Sequence, residues 1–151
     1  MTGTVIDSGD GITHVFPICD GAVIPSAVQD IPLAGSDITE YIKNELKIRE
    51  NLSAGDLNEV AQKVKERYGY VCSDLMKEFG RYDEKVKDAT SGKDVLQQKW
   101  FKKFTHKTLN GNMVSCDVGY ERFMGPEMLF HPEFMNKDYK DPLEVKVDTA
   151  I

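Results

Sequence analysis

Asp7, Gly9, Asp10, Gly11, Thr13 and His14 stand together in the stretch VIDSGDGITHV near the start of the chain. Two glycines at a turn let successive backbone N–H groups converge on one side, and such a concavity takes anions, phosphate oxygens above all. Asp7 and Asp10 would repel a bare polyphosphate at that range. A divalent cation between carboxylate and phosphate removes the conflict, and magnesium asks for only one or two protein carboxylates because it keeps several waters. Thr13 and His14 follow on the outgoing strand and face opposite sides by its period of two. One of them can hydrogen-bond a water near a terminal phosphate. On spacing alone, a plain β-turn with solvated aspartates and a surface histidine is the competing reading, since short Gly/Asp turns are common.

The elements around this turn follow from periodicity. Thr4 to Ile6 and Thr13 to Ile18 are rich in β-branched residues and predict a hairpin. A second turn at Asp20-Gly21 leads into Ala22-Val23-Ile24, Pro25 breaks the strand, and Gln29 to Leu33 returns extended. Ile38, Tyr41, Ile42 and Leu46 fall at helical spacing, with Ser36 or Asp37 as N-cap and Gly35 just before it. A second helix is expected from near Asp56, with Leu57, Val60, Ala61, Val64 and Tyr68 on one face, and a third over Leu75 to Tyr82. The segment from Asp83 to Lys99 is polar without an apolar face and reads as an exposed connection. Trp100 to Leu109 and Met113 to Val118 flank Asn110-Gly111-Asn112, a hairpin signal. Pro126, Pro132 and Pro142 leave room only for short helical pieces in the tail.

Composition bounds the function. The chain has 151 residues, 40% hydrophobic and 29% charged, which suits a globular domain with a core of its own. A formal net charge of -6 gives no basic surface for nucleic acid. No stretch approaches the roughly 20 apolar residues that span a bilayer, so membrane insertion is not expected. No basic stretch and apolar run stand at the N-terminus, so no signal peptide is read there. Cys19, Cys72 and Cys116 lack metal-ligand spacing and read as reduced, mostly buried thiols of a cytosolic protein.

DSGDGITH, LAGSDIT, KVKERYGYV and GYERFMGPEMLFHPEF, in that order, resemble the actin superfamily over almost the whole chain. VKERYGYVCSDLMKEFGRYD and DVGYERFMGPEMLFHPEF are more similar to an actin-related protein than to conventional actin. The branch they resemble supplies a subunit to the complex that nucleates branched actin filaments. The resemblance implies an α/β fold, a fragment of the actin-like, ribonuclease H-like ATPase fold. Residues 1–33 would form part of an inner lobe with the phosphate hairpin, 34–118 an outer subdomain, and 119–151 the return to the inner lobe. It implies ATP or ADP with magnesium as cofactor. Asp7 would hold the metal through water, and Gly9, Asp10, Gly11 and Ile12 would form the second phosphate loop. His14 would lie near the attacking water, Gly35 would line the nucleotide cleft, and Lys65 and Glu66 would contact adenine and ribose.

Ser36 departs from the commonly basic residue at its position, and without the resemblance Lys65 and Glu66 read as a solvated helix face. The first glycine-rich phosphate loop and the later adenosine motif are not found among these residues. The expectation is therefore a weakly ATP-binding piece of a cytoplasmic, cytoskeletal subunit, at most a slow ATPase. Its partners would be actin and the other subunits of the branching complex, and its unpaired strand edges invite self-association. Conventional actin, another actin-related protein, and a small phosphotransferase using Asp7 or Asp10 as base stay open, although no sugar-binding segment with a base accompanies the turn.

Overall fold

The computed structural model describes residues 1–82, 85–87, 94–96 and 100–151, the stretches 85–87 and 94–96 by backbone alone. The exposed connection expected over 83–99 otherwise lies outside the described residues. The chain divides into two compact units. The first comprises Met1–Tyr41 and Glu127–Ile151, the second Ile42–Pro126.

The first unit is built on a small antiparallel sheet. Strands β1 (Gly3–Ser8) and β2 (Thr13–Cys19) form the expected hairpin, with Asp7 opposite His14 and Ser8 opposite Thr13. β3 (Ala22–Val23) follows through a two-residue turn in which Asp20 has φ 51° and Gly21 φ 85°. Positive φ at both positions matches the right-handed twist of the flanking strands, and Gly21 takes it without steric cost. Pro25–Ala27 make one 3-10 turn, which brings β4 (Gln29–Ile31) alongside the start of β2.

Period-two burial runs cleanly through β2. Thr13, Val15 and Pro17 are buried, and His14, Phe16 and Ile18 stand partly exposed on the other face. Helix α5 (Leu143–Ala150) packs against β4 and β2, and Val15, Ile31, Leu33, Ile38, Met128 and Ala150 close the core. Among the described residues β1 pairs only with β2, and its Val5 and Ile6 are 47% and 48% exposed. Such an edge is a template for another strand. Sedimentation of the 151-residue chain should accordingly show association that grows with concentration and recedes in Val5→Lys. A clean monomer at high concentration would contradict this.

The second unit joins helices to a two-stranded hairpin. It holds the latter part of helix α1 (Gly35–Arg49), α2 (Ala54–Tyr68), α3 (Leu75–Tyr82), the short pair β5 (Lys85–Lys87) and β6 (Asp94–Leu96), the hairpin β7 (Lys102–Lys107) and β8 (Met113–Val118), and most of α4 (Glu121–Glu127). Ser53 caps α2 by accepting from the Asp56 amide, three residues ahead of the position expected for the start of this helix. Leu57, Val60, Ala61 and Val64 form its buried stripe, with Ile42, Leu46, Phe104, Val118 and Phe123 also in the core of the unit.

Two carboxylates on the first turns of α2 bind the β7–β8 loop. Asp56 accepts from the side chains of Ser53, Asn110 and Asn112 at 2.6, 3.0 and 2.9 Å, and Glu59 accepts from the Leu109 amide and His106 Nε2 at 2.9 Å each. Deeper in the unit, Arg49 forks onto both oxygens of the fully buried Glu121, at 3.1 and 2.6 Å, and stacks its guanidinium over Phe101.

The cysteines differ from expectation. Only Cys116 is buried, because it lies on the inward face of β8, whereas Cys72 is half-buried and Cys19 is exposed at the end of β2. Burial pushes the Cys116 thiol up to about 11, reinforced by the nearby Glu50 carboxylate. Brief alkylation followed by peptide mass mapping should label Cys19 first and leave Cys116 unmodified until the protein unfolds. Early labelling of Cys116 would contradict the packing of the hairpin.

Candidate phosphate-binding turn

The hairpin turn between β1 and β2 comprises Gly9, Asp10, Gly11 and Ile12, closed by the Gly9 amide donating to Ile12 O at 3.3 Å. Its outer carbonyls are taken by the first turn of α1. The Gly35 amide donates to Gly9 O at 3.0 Å, the Ser36 amide to Asp10 O at 2.7 Å, and Ser36 Oγ to the same oxygen at 2.7 Å. Helix N-terminal amides have no partner within their own helix. Here two of them hold the turn in place.

Beneath it, buried Thr13 donates its hydroxyl to Leu33 O at 2.7 Å and is joined by Ser8 Oγ at 2.9 Å. The turn is thus fixed from both sides. The expected N-cap is corrected in the same place. α1 begins at Gly35, and Asp37 lies within its first turn, reaching back to accept from the Ala34 amide at 2.9 Å. That is the acidic half of a capping box.

With the carbonyls of Gly9, Asp10 and Ile12 engaged, the turn presents its amides. Among the described residues nothing accepts from the N–H groups of Asp10, Gly11 or Ile12, and all three residues are exposed. Three consecutive exposed amides without a protein acceptor leave donors available to an anion, as successive turn amides do in anion sites. The glycines serve it by their bareness. Neither Gly9 nor Gly11 has positive φ, a Cβ on Gly11 would meet nothing within 4 Å, and one on Gly9 only Ile12 O at 3.7 Å. Their conformation does not require glycine, which corrects the expectation from sequence. Open space at two Cα atoms is what they provide, and a phosphate oxygen can use it. The donor set therefore fits a phosphate group.

His14 lies directly across from Asp7 in the β1–β2 register and across from Asp30 in the β2–β4 register. Its Nδ1 is 2.7 Å from Asp30 Oδ1, and its ring rests against Phe16 with centroids 5.4 Å apart. Thr13 and His14 do point to opposite faces, and burial decides between them. Thr13 serves the core, and His14 shares the exposed face with Asp7.

Asp7, Gly9, Asp10, Gly11, Ile12, His14 and Gly35 all belong to the first unit, the Gly35 amide being spent on the turn. Lys65 and Glu66 belong to the second, on the last turn of α2. Glu66 accepts from Lys63 Nζ at 2.8 Å and from Gln62 at 3.0 Å, and these hydrogen bonds hold its carboxyl below the usual range. Two features escaped the sequence reading. One is Asp30, whose only signal was its place in a short extended segment, and the other is the clamp of α1 on the turn. Among the described residues no cluster of His, Cys, Asp and Glu could hold a metal by itself, and no helix is long and apolar enough to cross a membrane.

A family model described as Actin matches residues 1–149. Actin-related protein 3 of Dictyostelium discoideum is 45% identical and that of Oryza sativa subsp. japonica 42%, each over the whole of this chain. Actin-related protein 3C of Homo sapiens is 44% identical over the same span. The chain covers 34% and 33% of the first two relatives and 68% of the third, so it spans about a third of the length of the former.

Proposed function

Because the chain belongs to the actin family, in which ATP or ADP is bound with a divalent cation, we propose that its first unit carries one phosphate-binding turn of a nucleotide site. The observation that supports this most is the run of three free amides at Asp10, Gly11 and Ile12, held by the α1 clamp. In this reading the amides receive phosphate oxygens, and Asp7 holds magnesium through its water shell. The cation supplies charge neutralisation between that carboxylate and the phosphates. His14 stands across from Asp7 in the sheet and is assigned to the terminal-phosphate end of the site on the resemblance. Lys65 and Glu66 are assigned to adenine and ribose on the resemblance of VKER alone.

The chain is part of an actin-related protein whose work is assembly rather than turnover. Its partners are actin and the other subunits of the complex that nucleates branched filaments, in the cytoplasm. The identities to proteins named actin-related protein 3, taken with the VKERYGYVCSDLMKEF stretch, support that choice over conventional actin.

Charge-assisted hydrogen bonds are stronger than neutral ones, and each loss of about 1.4 kcal/mol is tenfold in affinity. One turn and one metal-holding carboxylate should give the 151-residue chain a Kd for magnesium-ATP of about millimolar or weaker. Calorimetry in magnesium and in excess chelator checks this. Binding should depend on magnesium in the native chain, and that dependence should vanish in Asp7→Ala. Micromolar affinity would overturn the expected weakness, and equal binding with and without magnesium would overturn the role of Asp7.

A further inference from the structure

The contact between His14 and Asp30 has a chemical consequence. Asp7, His14 and Asp30 are directly opposed on β1, β2 and β4, so the three side chains stand in a row on one face of the sheet. An ionised carboxylate can only accept, so a neutral imidazole 2.7 Å away must turn Nδ1–H toward it. Which ring nitrogen carries the proton is set by the hydrogen bond of the other. Nε2 is then the nitrogen with the lone pair, and no described residue hydrogen-bonds to it.

We infer that Asp30 is a positioning residue for His14. It holds the imidazole in the Nδ1–H tautomer and so makes Nε2 an acceptor, suited to a water at the terminal-phosphate end of the site. The opposite tautomer would present Nε2–H, which can donate to a phosphate oxygen but cannot take a proton from water. Asp30 therefore selects between two kinds of contact, water orientation and anion binding. The pair is too exposed to add much stability, with side-chain exposures of 33% and 59%, and its contribution is direction. Phe16, stacked at a tilt against the imidazole, limits the ring on a further side. The tautomer is independent of any ligand, whereas the identity of the partner at Nε2 rests on the proposed nucleotide site.

Long-range nitrogen–proton correlation spectra of the histidine rings test both parts. They are recorded on the 151-residue chain at about pH 8, above the ordinary histidine pKa of about 6.5. The His14 signals are assigned by their loss in His14→Gln. The native chain should show His14 mainly as Nδ1–H. Asp30→Ala should invert the majority tautomer, and Asp30→Asn, whose amide oxygen still accepts, should largely restore it. A native ring that is mainly Nε2–H, or one unchanged by Asp30→Ala, overturns the inference.

Magnesium with a non-hydrolysable ATP analogue is then added at millimolar concentration. A shift at His14 Nε2 that weakens in Asp30→Ala, together with shifts at the amides of Asp10 to Ile12, supports the assignment. Shifts at those amides without one at Nε2 overturn the part assigned to Asp30 and leave the phosphate turn standing. No shift at either place overturns the nucleotide site itself, and with it the functional meaning of the pair.

Discussion

Arg49→Met should destabilise the second unit by about 3–5 kcal/mol, the loss expected when one partner of a buried ion pair is removed. Glu121 is fully buried and carries three of the contacts concerned, two from the Arg49 fork and one from the Gly119 amide at 2.9 Å. Removing the guanidinium leaves the carboxylate with a single donor in a poorly solvated place. Arg49 also donates to Asp117 O at the end of β8, so the substitution loosens the hairpin as well. Burial works against the Arg49 charge, but the hydrogen bonds and proximity of Glu121 and Glu50 outweigh it and hold its pKa above the ordinary value. The single tryptophan, Trp100, lies in this unit and makes urea unfolding readable by fluorescence. If the stranded charge is the cause, Arg49→Met with Glu121→Met should recover much of the loss. A single variant as stable as the native chain would show that the pair contributes nothing net.

Asp56→Ala should lower the melting temperature of the second unit by on the order of 5–10 °C. The substitution strands the side chains of Asn110 and Asn112 and removes the acceptor of Ser53, so the β7–β8 loop loses its hold on α2. The same carboxylate makes the unit acid-sensitive. Hydrogen bonds from Ser53 first, then Asn112, Thr108 and Asn110, hold the Asp56 pKa well below the usual carboxylate range. Glu59 is lowered as well, first by the Leu109 amide and then by His106. With the folded pKa below the unfolded one, the unfolded chain binds more protons, and stability rises with pH across that window. The contribution is complete above the ordinary carboxylate pKa of about 4 and is lost as pH falls below it. Thermal melts between about pH 5 and pH 2 should show a decline that Asp56→Ala flattens. An equal slope in both proteins would show that Asp56 is not a source of the acid sensitivity.

The hairpin that carries the candidate site was legible because its signals are local. β-branched runs on either side of a Gly/Asp turn define it within fifteen residues of sequence. Helices α1, α2 and α3 were legible from their apolar stripes, their caps less so, and α4 and α5 only as short pieces set by the prolines. Ser53 and Ala34 are settled by hydrogen bonds that periodicity does not contain. What sequence could not reveal is contact across distance. The α1 clamp joins Ser36 to Asp10 across 26 positions, and Arg49 meets Glu121 across 72. Asp30 reaches His14 only because the 3-10 turn at Pro25–Ala27 sets the register of β4. Thiol burial was misread for the same reason, since Cys19 ends its strand and Cys116 faces inward.

In the proposed site the amides of Asp10, Gly11 and Ile12 receive a phosphate, with magnesium held beside Asp7. Amide chemical shifts of the uniformly labelled 151-residue chain, titrated with ATP in magnesium and then in chelator, test it most directly. Saturable shifts should centre on those three amides and Asp7, present with magnesium and greatly reduced without it. Shifts scattered over the surface, or none at the turn at any attainable concentration, would contradict it.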